Sequence, residues 1–352
     1  MQTKRVQGLV PSRPLLRWGL ALVLLVVILG PLHAGSPRTG TSPSGNRTKR
    51  IIIHLDPAVI NNSSLTDPIG PGNRGSAVLR AQILLDRAGY SCGEMDGYYG
   101  RNLQNTVSAF QKSQGLPENG RIGPETWTKL NGDAAPALQT YTIAEGDVSG
   151  PFEKVPEAMQ DKAKLQAIDF ESPLEALGEK FHCSPESLVA LNPGKQFDKP
   201  GETILAPKIA IAPARQASTI VVDNTDSSVT ALDAEGRTIA YFSATIGSEH
   251  DPLPLGKWKI LGVKRNPVFH YNPRLFWDAD GRDSKADIAP GPNNPVGLVW
   301  IALSKQHYGI HGTPEPGTIG HTQSHGCIRL TNWDALQLAD MVRPGTPAIL
   351  KK

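Results

Sequence analysis

Cysteine is scarce in this 352-residue chain, which has only Cys92, Cys183 and Cys327. Three are too few for a disulfide scaffold, and an odd number leaves at least one thiol unpaired. An excess of charge of one sign is also lacking. The net charge is +3, and the basic residues form no stripe interleaved with aromatics, so nucleic-acid binding has no support. Nor is there a run of the roughly 18 apolar residues that a clean membrane span requires. The longest candidate, residues 18–32, is broken by Gly30-Pro31. Proline (30) and glycine (35) are plentiful instead, which points to turns, loops and linkers rather than long helices. The length suggests two or three domains.

Lys4, Arg5, Arg13 and Arg17 precede the apolar run, and Ala34 supplies a small residue just after it. A basic segment, an apolar core and a small residue at the cut point make residues 1–34 a secretory signal or, if uncut, an N-terminal membrane anchor. Either way the rest of the chain is expected in the periplasm or cell envelope. Residues 35–71 are expected to be tether, Ser/Pro/Gly/Arg-rich up to residue 50. Beyond that point the tether has no firm secondary structure assignment.

A helical unit follows. Val78, Ala81, Leu85 and Ala88 recur at helical spacing, and a second stripe runs through Leu103, Val107 and Phe110. Pro124 opens a short third helix at the position where a missing N–H costs nothing. The turns Asp96-Gly-Tyr-Tyr-Gly100 and Gly123-Pro-Glu-Thr-Trp127 around these helices resemble those of the peptidoglycan-binding type 1 domain, a three-helix module, and set it at residues 72–132. Phe110 and Trp127 read as core aromatics. Residues 141–208 then run strand, two short amphipathic helices (around Leu174–Phe181 and Ser184–Pro193) and a strand ending at Pro207. That βααβ order is similar to the LysM carbohydrate-binding module, from which it departs by an insertion with helical character over residues 153–167. The insertion leaves open whether the unit grips glycan or serves as a spacer or lid. Cys92 and Cys183 read as small buried hydrophobes rather than a bridged pair.

From residue 218 the texture changes to short β-branched runs between Gly, Pro and Asp turns, which predicts a mainly antiparallel β sandwich or barrel over residues 218–351. Only residues 332–342 carry a helical stripe, through Ala335, Leu338 and Met341. The fold class is thus multidomain α+β.

The chemistry concentrates in residues 307–332. Four of the nine histidines (His307, His311, His321 and His325) lie there with Cys327 and several glycines. Thiol, imidazole and glycine together compose a Cys-His nucleophile site. Cys327 is the expected nucleophile, its thiol lowered by a neighbouring imidazolium so that thiolate dominates. His311 is the expected proton carrier, oriented by a backbone carbonyl, that of Gly312. Gly326 is expected to let the backbone approach substrate, with the N–H groups of Gly326 and Cys327 stabilising an oxyanion. Arg329 is expected to point its fork at a substrate carboxylate, the alternative being an ordinary surface or salt-bridge residue. A structural zinc held by Cys327 and the histidines is the competing reading, disfavoured because no Cys-x-x-Cys pair supports it.

His311-Gly followed by Ser324-His-Gly-Cys-Ile-Arg-Leu330 resembles the YkuD-type L,D-transpeptidase signature, and the resemblance spans roughly residues 218–350. It implies Cys327 as nucleophile, His311 as proton acceptor and donor, and Ser324, His325 and Gly326 as the supporting shell, with Tyr308 beside the substrate. It implies no cofactor and no metal. A groove under a cap is implied as well, and residues 268–295 are rich enough in Pro, Asp and Gly to supply it. The implied partner is peptidoglycan, through its stem peptides and in addition its glycan strands; the oligomeric state is not legible. The implied reaction is thioester formation on a tetrapeptide stem with loss of D-Ala, then transfer to an amine in a 3→3 cross-link. L,D-carboxypeptidase, lipoprotein attachment and a non-catalytic wall binder are the alternatives.

Overall fold

Apolar residues three and four apart build the first long helix, Ser76–Arg87, whose Val78, Leu79, Ala81, Ile83, Leu84 and Leu85 are all buried. The computed structural model describes residues 53–209, 215–277 and 279–352. The expected signal or anchor and the first part of the tether lie outside the described residues. Helices Arg101–Ser113 and Pro124–Leu130 complete the helical unit, the last with proline at its start. Trp127 is fully buried, and its indole N–H donates to the Asp67 carbonyl at 2.8 Å. Residues 53–71 are not tether. Leu55, Ile60, Leu65 and Ile69 are buried, and a short helix Pro57–Ile60 is capped by Asp56. Isolated apolar residues at irregular spacing carry no periodic signal, so the sequence alone does not reveal this packing.

The middle unit has strand Leu138–Thr142, helices Pro173–Lys180 and Pro185–Leu191, and strand Thr203–Pro207. The two strands pair antiparallel, Leu138 opposite Pro207. Ser172 and Ser184 cap the two helices through their hydroxyls, each at a Ser-Pro start. The insertion contains a single short helix, Met159–Lys162, and it lies against residues 284–293. Gln160 Nε2 donates to Ser284 O at 3.1 Å, Ile168 N–H to Pro290 O at 3.0 Å, and Asn293 N–H to Ile168 O at 3.0 Å.

The β region supplies nine strands of a 10-stranded sheet that is mostly antiparallel. Strand Gly256–Arg265 is its pivot. Its first half pairs with Pro347–Lys351 and its second half with Val299–Leu303. A register shift at Ala302/Leu303 marks the bend, and such irregularities let a sheet turn a corner. The two halves enclose a core that includes Val222, Phe242, Ile260, Ile301, Ile310 and Ile328. Helix Asn332–Met341 packs Ala335, Leu338 and Met341 into the same core.

Residues 51–352 make one compact unit, so the three regions are not beads on linkers. The two-residue strand Tyr90–Ser91 of the helical unit adds to the large sheet, parallel to Thr238–Ser243. Met95 of the same unit bridges Cys183 of the middle unit. Leu79, Ile83 and Met95 share a core with Leu177, Phe181 and Leu188. At the junction of all three regions Ser91 Oγ donates to Asp334 at 2.8 Å, and His182 lies 3.2 Å from Asp86 while stacking on Trp333. Cys92 and Cys183 are free and buried.

Candidate active site

Cys327, His311 and Arg329 meet because of strand register. Strand Gly309–His311 runs parallel to Ile328–Arg329, with His311 opposite Arg329. Cys327 directly precedes the latter strand and lines the same cavity as His311 and Arg329. Trp300 is the partner of His311 on the other side and stacks on its ring, centroids 5.4 Å apart and planes at 17°. Cys327, His311, Arg329, Trp300 and Tyr308 all line one cavity of about 1420 Å³.

The His311 ring is 4% exposed. Its Nδ1 lies 2.7 Å from the carbonyl oxygen of Gly312. A carbonyl only accepts, so Nδ1 carries the proton and Nε2 keeps the lone pair. Burial and the Arg329 charge push the imidazole pKa down to about 3, against a smaller upward pull from the Gly312 carbonyl. His311 is therefore neutral at working pH. Burial also raises the Cys327 thiol; the Gly309 N–H and Arg329 pull it down, Asp251 pushes it up, and the net direction is upward. The Cys327 Sγ lies 3.8 Å from the His307 carbonyl, which favours the S–H form. The expected thiolate beside an imidazolium is thus corrected: the resting pair is thiol and neutral imidazole. Burial and the guanidinium on the same face both oppose a charged imidazole.

Gly326 also differs in its reason. Its φ is +90°, and a Cβ there would lie 2.8 Å from the Tyr308 ring and 3.1 Å from its hydroxyl. Close approach by Tyr308, rather than by substrate alone, demands glycine. Tyr308 itself is half-buried at the cavity wall. Ser324 is buried and its hydroxyl donates to the Cys327 carbonyl at 2.6 Å, while its N–H donates to Gly247 O at 3.0 Å. It fixes the loop that carries the thiol. A Cβ at Gly312 would run into Asn332 Oδ1. His321 is exposed and away from this face.

His325 faces the cap. Strands Phe269–Tyr271 and Ala286–Ile288 pair antiparallel, and the connection between them sends Phe276 and Trp277 onto the His325 ring, at 5.0 and 5.7 Å between centroids. Trp277 is 59% exposed. Glu157 and Met159 of the middle unit's insertion line the same cavity, so that insertion helps wall the groove. Trp300, Asn332 and the two cap aromatics carried no motif in the sequence. Trp300 had one usable signal, its alternation with buried Val299 and Ile301 along a strand. Among the described residues no cluster of three or more His, Cys, Asp or Glu is arranged to hold a metal ion, and no helix is long and apolar enough to cross a membrane.

Comparison with known proteins agrees with this architecture. Residues 217–350 match the YkuD L,D-transpeptidase catalytic domain, and residues 74–130 match a peptidoglycan binding domain. A protein of Bacillus licheniformis named as the L,D-transpeptidase YkuD is 32% identical over 175 residues, covering 49% of this chain and 90% of that protein. Its namesake in Bacillus subtilis is 29% identical over 180 residues, covering 51% and 93%. The L,D-transpeptidase ErfK/SrfK of Salmonella typhimurium is 31% identical over 181 residues, covering 49% of this chain and 58% of that protein. A mostly β domain that matches one family along its length, behind a helical unit that matches another, leads to one assignment: the chain belongs to the YkuD family of L,D-transpeptidases.

Proposed function

We propose that the protein is an exported cysteine transpeptidase that joins peptidoglycan stem peptides through a thioester on Cys327. The observation that carries this reading is the cavity that Cys327 and His311 both line, with Nδ1 of His311 tied to Gly312 and Nε2 left as the base. Cys327 Sγ attacks the carbonyl of the third, L-centred diamino acid of a tetrapeptide stem while its proton passes to His311 Nε2. A base with a low pKa holds a proton weakly, so the transfer runs together with C–S bond formation rather than before it. The N–H groups of Gly326 and Cys327 are assigned to the oxyanion. Collapse breaks the peptide bond, and terminal D-Ala leaves with the proton from His311. An acceptor amine then attacks the thioester, gives its proton to His311, and the returning proton restores the Cys327 thiol as the new amide forms.

Arg329, lining the same cavity, is assigned to the substrate carboxylate, and Tyr308 to the groove wall. Residues 72–132 and the LysM-like residues 141–208 are assigned to holding the wall. The βααβ topology of the latter supports the likeness. Export rests on the composition of residues 1–34, and places the enzyme in the periplasm or cell envelope. The test is mass spectrometry of muropeptides after incubation with disaccharide-tetrapeptide. A cross-linked dimer that is lost in Cys327→Ala is the expected result. Tripeptide without dimer would make water the acceptor, and no product at all would leave a wall-binding protein.

A further inference from the structure

Behind His311, on the side away from the cavity, a side chain from the middle unit reaches the catalytic region. Glu179 lies in the last turn of the helix Pro173–Lys180, outside the residues 217–350 that match the YkuD catalytic domain. Its Oε1 and Oε2 accept from Asn332 Nδ2 at 2.9 and 3.1 Å. The same Nδ2 donates to Pro292 O at 3.1 Å, and Asn332 Oδ1 accepts from the Leu298 N–H at 3.0 Å. The Asn332 side chain is buried and fully engaged, so it has one orientation. Its Oδ1 is wedged between the α-carbons of Gly297 and Gly312, where neither position has room for a Cβ. Gly312 is the residue whose carbonyl holds His311 Nδ1.

We propose that Glu179 is a positioning residue for His311, acting through Asn332 and the Gly312 peptide, so that docking of the middle unit sets the aim of the proton carrier. The physical argument is one of constraint. Besides Asn332 Oδ1, Gly312 is held by a long N–H bond to Val299 O at 3.3 Å. Asn332 Oδ1 is the stop that keeps the peptide from moving away from the imidazole. Without Glu179 the Asn332 Nδ2 keeps only the Pro292 carbonyl as acceptor, and the amide, held otherwise by the Leu298 N–H alone, gains room to swing. The Gly312 carbonyl then drifts, and the imidazole loses the tautomer and direction that this carbonyl imposes on it. Small misplacements of a reacting group cost rate out of proportion to their size. This inference rests on His311 being the proton carrier.

The experiment uses the full chain and reads both the rate and the imidazole. Glu179→Ala is expected to lower kcat by roughly tenfold or more while KM stays within about twofold. Glu179→Gln keeps an acceptor at the same reach and is expected to restore kcat to within about twofold of wild type. The ¹⁵N spectrum of His311 should show a protonated, hydrogen-bonded Nδ1 in wild type and Glu179→Gln, and a mixed tautomer in Glu179→Ala. If Glu179→Ala does not fold, Glu179→Asp serves, since it withdraws the carboxylate by one methylene and is expected to show the same loss of kcat. An unchanged kcat and an unchanged imidazole spectrum in the truncated variant would overturn the positioning role. A wild-type protein that forms no thioester would instead overturn the assignment of Cys327 and His311, so the two failures are distinct.

Discussion

Replacing Gly326 by alanine separates two kinds of cost that the site imposes. At φ +90° an L-residue outside a helix pays about 1–2 kcal/mol for its Cβ. The second cost is steric. The new Cβ would lie 2.8 Å from the Tyr308 ring, and forcing a methyl into a packed site adds about 1–3 kcal/mol. Together they come to about 2–5 kcal/mol. For a body of this size each kcal/mol lowers Tm by roughly 2–4 °C. In a Tyr308→Ala background the ring is gone and only the backbone term remains, so the same substitution should cost about 1–2 kcal/mol. Scanning calorimetry of wild type, both single variants and the double variant forms a cycle whose coupling reports the steric part. Coupling near zero would show that Tyr308 is not what demands glycine at 326. The kinetic readout should agree: Gly326→Ala slows thioester formation, because the loop that carries Cys327 must move to admit the methyl.

Two further predictions concern charge, and a third concerns the loop. Arg329→Ala removes a cation that disfavours imidazolium, so the His311 pKa rises from about 3; the acid limb of kcat/KM should move up in pH, and an unmoved limb would refute the coupling. Glu94 and Asp334, both pushed up to about 7 mainly by burial, stay protonated in the folded chain while the unfolded chain ionises from about pH 4. Burial disfavours charge on His182 but Asp86 outweighs it, so that its pKa is raised. Its contribution is therefore present below about pH 6.5 and lost as pH rises through the folded value. His311, held near 3, acts in the opposite sense between about pH 3 and 6.5, so the two carboxyls outweigh it only by their number; stability should fall by about 1–3 kcal/mol from about pH 5 to 7, and a Tm that rises over that range would contradict it. Ser324→Ala leaves the Cys327 carbonyl without its hydroxyl donor, a loss of about 1–3 kcal/mol that should appear as a lower Tm together with slower acylation of the thiol.

The site was legible in the sequence because its parts are close along the chain. A thiol, a histidine-glycine pair and a glycine before the thiol stand out in any composition scan of residues 307–332. What was not legible is the relation between the parts. The pairing of Gly309–His311 with Ile328–Arg329 is parallel and joins segments separated by a long loop, and register of that kind leaves no periodic trace. The state of the thiol was misjudged for the same reason. Adjacency in sequence suggested an imidazolium neighbour, whereas burial and Arg329 make His311 neutral. The change from a helical to a β-rich region was readable from helix stripes and β-branched runs, and helices such as Ser76–Arg87 and Pro124–Leu130 fall where spacing and proline put them. Their packing was not. Contacts such as Glu179 to Asn332 and Ser91 to Asp334 join residues far apart, each individually ordinary. Residues 53–71 were misassigned because four scattered apolar residues look like loop until a partner surface covers them.

The pairing of Tyr90–Ser91 with Thr238–Ser243 has a consequence for handling the protein. With that two-residue strand in place, the main-chain groups of Tyr241 and Phe242 are satisfied, and the Tyr90 and Tyr241 rings run near-parallel, 6.4 Å between centroids and 20° between planes. A fragment cut at residue 217 would bare both the hydrogen-bonding edge and the aromatic face beside it. Open strand edges recruit other chains. The shortest piece that behaves as a well-mannered solute is therefore longer than the piece that carries the thiol, and the helical unit serves as a built-in cover for the sheet whatever else it holds.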